Sequence, residues 1–249
     1  MINGLRLIEG FPAAHIPKES MLVVGDMHIG LELKLHSYGI HFYDASSKDA
    51  EIINKLGKSV KAKSLVILGD VKESIGNPGT NERNLLFRFF SKLDFNEVMI
   101  AKGNHDAGLK ELLHANNYKI PVEKEIAVGK FVFMHGHITP SINAMQHENL
   151  VVAHAHYAHD VYGKVWVYAK KGKGLDELYK KHAKNPNLLV VPAFSNMIIG
   201  SSRTNLWQNF LPVFRKSIFE FSSAKFYNLN DGRIARKKIE FEPTYVSAD

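Results

Sequence analysis

The sequence contains no cysteine. This absence excludes disulfides, thiolate catalysis and cysteine-based zinc sites, so any metal has to be held by His, Asp, Asn or Glu. No apolar run reaches the roughly 18–20 residues that a bilayer-spanning helix needs. The N-terminus also lacks a charged segment followed by an apolar one, the pattern of a signal peptide. We therefore expect a protein without a membrane segment, located in the cytoplasm.

Acidic residues are fewer than basic ones. The 32 Lys and Arg side chains outnumber the 25 Asp and Glu side chains, which gives a formal net charge of +7. Much of the excess lies in Lys164–Lys184. A basic surface concentrates polyanions such as nucleic acid and steers their encounter. A lysine-rich surface that only faces solvent is the plainer explanation.

Short apolar runs predict the strands of a sheet protein. They are Leu22–Val24, Leu65–Leu68, Val98–Ala101, Phe131–Met134, Leu150–Ala153 and Leu188–Val191, with Val165–Tyr168 and Leu5–Ile8 in addition. Helices are expected between the early strands, because Ile52, Ile53 and Leu56 share one helical face, as do Leu85, Phe89 and Leu93. Strands and helices therefore alternate in the first half, and the second half is richer in strands.

This pattern predicts two sheets packed face to face and flanked by helices. We expect one domain over 1–249, with the chemical motifs within 21–157 and a strand-rich part over 185–249. Ser46 and Ser47 are expected to cap the first long helix, and 32–44 is expected to be a loop. A hairpin turn is predicted at Asn230-Asp231-Gly232.

Five of the six main apolar runs are followed at once by side chains that bind metals. These side chains are Asp26 and His28, Asp70, Asn104 and His105, His135, and His154 and His156; the sixth run ends at Pro192. Ligands in open α/β sheets collect at the carboxyl ends of strands. Each motif alone is a weak signal, but five together predict a two-metal hydrolase.

The spacing within the motifs supports this prediction. Asp70 follows Gly69, which permits a tight turn, and its two carboxylate oxygens could bridge two metals. Gly103-Asn104-His105-Asp106 combines a neutral amide oxygen with an imidazole that can bind a metal or move a proton. His154 and His156 are two residues apart, so they face the same way in an extended segment.

Read in order, these motifs resemble the calcineurin-like metallophosphoesterase superfamily over Met21–Tyr157. The segment Gly25–Glu32 (GDMHIGLE), with Pro192-Ala193-Phe194 and Gly200, is similar to the archaeal phosphoesterases related to the SbcD nuclease. The resemblance implies an α/β (α+β) fold, a four-layer sandwich of two mixed β-sheets flanked by helices. It also implies a metal-dependent phosphoesterase.

The resemblance assigns a role to each motif residue. Two divalent ions are implied, the first held by Asp26, His28 and His156 and the second by Asn104, His135 and His154, with Asp70 bridging them. His105 would contact the phosphate with Asn104 and assist the leaving group, and Asp106 would orient His105. The two ions would activate a hydroxide for attack on phosphorus. Manganese is the first choice, with iron, zinc or nickel as alternatives.

Two positions depart from the superfamily pattern, and three further histidines are candidates. Ala153 stands where the superfamily usually has Gly, and Glu73 where it usually has Asp or Asn; both leave the ligands in place. His36, His41 and His137 could face the substrate. A structural role explains His137 as well.

Several functions fit these motifs. The leading hypothesis is hydrolysis of phosphodiesters, with nucleic-acid ends or nucleotides as substrates. A phosphomonoesterase or cyclic-nucleotide phosphodiesterase is the second, and a non-catalytic interaction scaffold the third. The sequence leaves a partner ATPase open. The apolar stretch Trp207–Phe219 fits either a homodimer interface or core packing.

Overall fold

The computed structural model describes residues 2–201 and 208–230. The strands are β1 (Arg6–Leu7), β2 (Ala14–Ile16), β3 (Met21–Val24), β4 (Ser64–Ile67), β5 (Glu97–Ala101), β6 (Val122–Glu123), β7 (Ile126–Val128), β8 (Phe131–Phe133), β9 (Asn149–Val152), β10 (Ala158–His159), β11 (Gly163–Ala169), β12 (Asn187–Val190) and β13 (Lys225–Asn228). The helices are α1 (Leu31–Ser37), α2 (Ala45–Val60), α3 (Thr80–Lys92), α4 (Leu109–Ala115), α5 (Lys173–Tyr179) and α6 (Pro212–Arg215). None of the helices in these residues combines the length and apolar character that a membrane span needs.

The strands form two mixed sheets. Strands β1 to β6 make up the first sheet in sequence order; β1, β2 and β3 pair antiparallel, and β3 to β6 run parallel. The second sheet has the order β10-β11-β12-β9-β8-β7, with β13 also paired to β11. In it β8, β9 and β12 run parallel to one another. The parallel strands are central in the second sheet and run from the centre to the β6 edge in the first. Ligands of such sheets collect at the carboxyl ends of the parallel strands.

The core explains why the central strands are apolar without alternation. Val23 of β3 packs between the two sheets, against residues of the second sheet such as Val151. Its neighbour Leu22 faces the other way, toward Ile53 of α2 and Phe89 of α3. A strand that is buried on both faces has an uninterrupted hydrophobic sequence, because both its inward and outward side chains are apolar.

A third cluster covers the outer face of the second sheet. It packs Val152 and Val167 against Leu175 of α5 and Phe214 of α6. The described residues therefore form the four layers that the sequence predicted, and the predicted fold class is confirmed.

Some local expectations were wrong. The segment 32–44 is not entirely a loop, because α1 occupies Leu31–Ser37. Ser46 and Ser47 do not cap α2; they lie inside its first turn, and Asp44 takes the N-cap position. The lysine-rich segment also contains a helix, α5, which the sequence did not predict.

Two expectations fall partly outside the described residues. Asp231 and Gly232 of the predicted hairpin lie beyond them, as does Trp207 at the start of the proposed interface stretch. The described part of that stretch packs in the core, where Leu211 and Val213 are fully buried.

Candidate metal centre

The predicted ligands meet at the carboxyl ends of the parallel strands. Asp26 and His28 follow β3, Asp70 follows β4, Asn104 follows β5, His135 follows β8, and His154 and His156 follow β9. Their carboxylate oxygens and imidazole nitrogens form two groups, and in each group the atoms lie within 4.8 Å of one another. A third group of the same kind combines His28 with Glu73 and His105.

The first group consists of Asp26, His28 and His156. His156 Nε2 lies 3.3 Å from Asp26 Oδ2. Asp26 Oδ1, His28 Nε2 and His156 Nε2 are all buried without a hydrogen-bond partner. Unpaired buried polar atoms are rare and call for a partner, and a carboxylate with two imidazoles is a common ligand set for divalent metals. The residues therefore fit a cation.

The second group consists of Asp70, His135 and His154. His135 Nε2 lies 3.2 Å from Asp70 Oδ2 and 3.0 Å from His154 Nδ1. Asn104 Oδ1 is 3.1 Å from the same His135 nitrogen. The four side chains that the sequence indicated thus converge on one point.

Asp70 joins the two groups. Its Oδ2 atom lies 3.6 Å from His28 Nε2 of the first group and 3.2 Å from His135 Nε2 of the second. Its other oxygen accepts a hydrogen bond of 2.9 Å from the backbone N–H of His105. Burial alone would raise the pKa of Asp70, but the hydrogen bond and charge of His135 outweigh it and hold this pKa below its usual range. The carboxylate is therefore ionised and lies within reach of both groups.

Neighbouring groups fix how the histidine rings face the centre. The Leu68 carbonyl accepts a hydrogen bond from His135 Nδ1 at 2.7 Å, which leaves Nε2 toward the ligands. Glu73 Oε2 holds His28 Nδ1 at 2.9 Å in the same way. Such outer partners set the tautomer and the basicity of metal-binding imidazoles.

The pKa of His135 shows how strongly the site attracts positive charge. Burial lowers it, but the carboxylates of Asp70 and Asp26 raise the pKa to about 9. Near neutral pH the ring is therefore protonated, and a metal ion bound at His135 would have to displace that proton. The imidazoles of His156 and His135 likewise hold the pKa of Asp26 below its usual range, against the effect of its complete burial.

The ligands depend on an unusual backbone. Non-glycine residues seldom adopt positive φ, yet five of the ligands do so. They are Asp26, His28, Asp70, His154 and His156, with φ between +45° and +71°. Such strained positions cluster at functional sites. Left-handed turns in the segments after β3, β4 and β9 bring these side chains into the centre.

Close loop packing explains two small residues. A Cβ added at Gly69 would lie 2.6 Å from the backbone nitrogen of Gly103, and the φ of Gly69 is +69°. Ala153, in place of the usual glycine, faces Gly25: a Cβ added there would approach the Ala153 Cβ to 3.0 Å. The methyl group of Ala153 fits because Gly25 has no side chain.

His105 and Asp106 lie at the edge of the centre. His105 Nδ1 is 2.5 Å from the Glu73 carbonyl, so its Nε2 is the nitrogen available to a substrate. Asp106 is fully buried; its carboxylate accepts the backbone N–H groups of Gly103 at 2.8 Å and Val71 at 2.9 Å. The group that orients the His105 ring directly is thus the Glu73 carbonyl, while Asp106 braces the loops on either side.

The three other candidate histidines differ in position. The His137 ring centroid lies 5.3 Å from that of His135, beside the second group. Burial and the charge of His135 lower the pKa of His137 to about 4, so the ring is neutral. The structure packs His36 and His41 against each other instead, with centroids 4.3 Å apart.

Two residues near the site have roles that the sequence did not reveal. Glu73 was noted only as a departure, yet it holds His28. Lys164 Nζ donates to the carbonyls of Ala193 at 2.8 Å and Ser195 at 2.6 Å. The backbone N–H of Ser195 in turn donates to the Asp26 carbonyl at 3.3 Å. A lysine in a basic segment gave no signal for this contact.

Comparisons with known proteins identify a family and similar structures. The sequence profile of the calcineurin-like phosphoesterase family matches residues 20–212. The structure is similar to the nuclease MPE of Pseudomonas putida, at 14% sequence identity and a TM-score of 0.53, covering 90% of each chain. It is also similar to Yfce, a phosphoesterase from E. coli, at 16% identity and a TM-score of 0.41, covering 86% of this chain and 96% of that one. A search of curated proteins finds no match.

Proposed function

The chain belongs to the calcineurin-like phosphoesterase family and is a metal-dependent phosphate-ester hydrolase, and from this premise we propose that it hydrolyses phosphodiesters at a centre of two divalent ions. Its substrates would be nucleic-acid ends or nucleotides. The similarity of Gly25–Glu32 to the SbcD-related phosphoesterases and the net charge of +7 support this substrate class.

One observation carries the dinuclear part of the proposal. Asp70 Oδ2 lies between the ligand nitrogens of His28 and His135, at 3.6 Å and 3.2 Å. Asp26, His28 and His156 would hold one ion, Asn104, His135 and His154 the other, and Asp70 both. Manganese is our first choice for both ions, because the ligands mix oxygen and imidazole nitrogen. When bound, two such ions supply a nucleophile from water at neutral pH and neutralise charge on the phosphate.

The protein's own groups would complete the reaction. The His105 ring is held at Nδ1 by the Glu73 carbonyl, so Nε2 can give a proton to the departing oxygen. Asn104 and His105 stand at the rim and would position the phosphate. Asp106 keeps both loops in register through the backbone N–H groups of Val71 and Gly103.

A paired assay tests the proposal. We expect manganese-dependent hydrolysis of bis-p-nitrophenyl phosphate to exceed that of p-nitrophenyl phosphate. His105→Ala should reduce the rate on a dinucleoside phosphodiester, whose departing alkoxide needs a proton, by about 10²–10⁴-fold. The rate on bis-p-nitrophenyl phosphate should fall by less, because p-nitrophenolate leaves without a proton. A preference for the monoester would favour a phosphomonoesterase. Hydrolysis of neither ester, with manganese bound, would favour a scaffold.

A further inference from the structure

A pocket of about 700 Å³ opens beside His105. Leu33 of α1 forms part of one wall, and Ile75, from the loop before α3, is also in the lining. These side chains are 37% and 67% exposed. The volume lies within the range of about 300–1,000 Å³ typical of small-molecule sites. Exposed apolar side chains that line a pocket together are a feature of ligand-binding grooves.

The charges around the pocket disfavour an anion. Lys34 is its one lysine, and its Nζ is already paired with Glu73 Oε1 at 3.1 Å. Glu82 lines the pocket as well, and its carboxylate accepts the backbone N–H groups of Glu73 at 3.0 Å and Ser74 at 2.9 Å. Two carboxylates against one paired ammonium suit a neutral group better than a second phosphate.

The position of the pocket indicates which part of the substrate it receives. His105 lines it, and under the proposed function His105 protonates the departing oxygen. The substituent on that oxygen therefore enters the pocket. The apolar side chains can pack against the flat faces of a heterocyclic base. The hydroxyl group of Ser74 and the amide group of Asn81 also line the pocket and can form hydrogen bonds with the edge of the base.

We propose that this pocket binds the nucleobase of the leaving nucleoside, an inference that rests on the proposed phosphodiesterase function. A base held in this pocket cannot remain stacked in a duplex, so the substrate is single-stranded or frayed at the cleaved bond. Leu33 and Ile75 are then specificity-determining residues.

The segment that follows α1 in the sequence carries further exposed aromatic side chains. Tyr38, Phe42 and Tyr43 are 74%, 42% and 87% exposed. Glu32 fixes this segment at both ends, because its carboxylate accepts the backbone N–H groups of Gly30 at 2.9 Å and Ser46 at 3.3 Å. Aromatic side chains of this kind stack with unpaired bases, so a longer single strand would find further contacts here.

An abasic substrate tests the inference. We compare a dinucleoside phosphodiester with the same compound carrying a tetrahydrofuran abasic residue on the leaving side. The parent should favour the base-containing compound in kcat/KM by about tenfold, and in Ile75→Ala and Leu33→Ala this ratio should fall toward one. Leu178→Ala, a change to a leucine of α5 that is 50% exposed, should keep the parent ratio. A parent ratio near one, or variants that keep it, would overturn the inference.

A binding measurement separates this inference from the proposed function. In EDTA, where no turnover occurs, a dinucleotide with 2-aminopurine in the leaving position should change fluorescence on binding to the parent. Ile75→Ala should weaken that binding about tenfold, and Leu178→Ala should not. If the parent binds the 2-aminopurine dinucleotide in this way but hydrolyses no diester, the proposed phosphodiesterase function is wrong and the base pocket is still supported. Unaltered fluorescence contradicts the pocket.

Discussion

The orientation of the His28 ring depends on Glu73, which in the sequence was only a departure from the family pattern. Glu73 Oε2 holds His28 Nδ1 at 2.9 Å, while Glu73 Oε1 pairs with Lys34 at 3.1 Å. Glutamate reaches farther than the aspartate or asparagine usual at this position. The departure from the family pattern thus supports the first ligand group.

Replacing Glu73 tests that support. Glu73→Ala should weaken manganese binding by about 10–100-fold, because outer partners of metal-binding histidines have effects of this size. Glu73→Gln, which can still accept from the ring, should lose less. Isothermal titration measures both, with the exposed Asp94→Asn as the matched control. Equal affinity in Glu73→Ala and the parent would show that His28 does not need this contact.

A buried carboxylate behind the site predicts a pH effect on stability. Burial, reinforced by the charge of Glu32, raises the pKa of Asp49 to about 7. The folded protein keeps a proton that the unfolded chain releases near pH 4, so this group's stabilising effect is complete below about pH 4 and is lost as pH rises through 7.

Asp49→Asn should remove this dependence. We expect the variant to match the parent near pH 4 and to have a free energy of unfolding up to about 4 kcal/mol higher at pH 8, because the pKa is raised by about 3 units and each unit corresponds to about 1.4 kcal/mol. Urea unfolding in EDTA at both pH values measures the difference, and Asp94→Asn controls for a general charge effect. A constant difference between variant and parent would contradict the raised pKa.

The grouping of the candidate ligands was predictable from the sequence, whereas the residues that support them were not. A ligand follows the last apolar residue of a strand, and the strand is visible as an apolar run. Glu73 contacts His28, which is 45 residues away in the sequence. Lys164 contacts Ala193 and Ser195, which are about 30 residues away. Such contacts depend on how separate loops pack, which local patterns do not encode.

The loops after β4 and β5 behave as one unit because Asp106 ties them together. Its carboxylate binds the backbone N–H groups of Val71 and Lys72 in one loop and of Gly103 in the other. These loops carry Asp70 and His105, so the brace positions both functional side chains.

Removal of that brace should cost stability. Asp106→Ala leaves buried backbone donors unpaired, and we expect a loss of roughly 2–4 kcal/mol, since hydrogen bonds to charged groups contribute about 1.5–3 kcal/mol each and are not additive. Urea unfolding measures it, with Asp160→Ala as an exposed control. Asp106→Asn should recover part of the loss. A change below about 0.5 kcal/mol in Asp106→Ala would exclude the brace.

Elements with an apolar face were predictable, and α1 shows why others were missed. Helices α2 and α3 bury apolar stripes that the sequence displays. The only buried residue of the seven-residue α1 is Glu32, a charged side chain. This helix is stabilised by the Glu32 contacts to Gly30 and Ser46 rather than by an apolar stripe, so hydrophobic periodicity carries no signal for it.

Both sheets contribute to the centre, so the site requires the whole sandwich. Asp26 and Asp70 come from the first sheet, and His135, His154 and His156 from the second. The sandwich itself was predictable, because its central strands are continuous apolar runs. Two-residue strands such as β6 and β10 are too short to show any pattern.

The net charge of the molecule predicts a difference between substrates. If basic side chains bind the phosphates of a nucleic-acid strand, KM for a single-stranded oligonucleotide should rise at least about tenfold between 50 and 200 mM salt. KM for bis-p-nitrophenyl phosphate should change little. Initial rates over a salt series measure both. If KM rose equally with salt for both substrates, the lysine-rich surface would only face solvent and would not bind nucleic acid.

The most direct test of the dinuclear centre is a manganese titration followed by bound metal per chain and by hydrolysis of bis-p-nitrophenyl phosphate in the same samples. We predict two ions per parent chain, with hydrolysis rising as the second ion binds. In Asp70→Asn we predict fewer than two ions and a rate lower by about 10²-fold or more, whereas Asp94→Asn should match the parent. Full activity with one ion, or an Asp70→Asn variant that binds two ions and hydrolyses normally, would contradict the shared carboxylate on which the proposed mechanism rests.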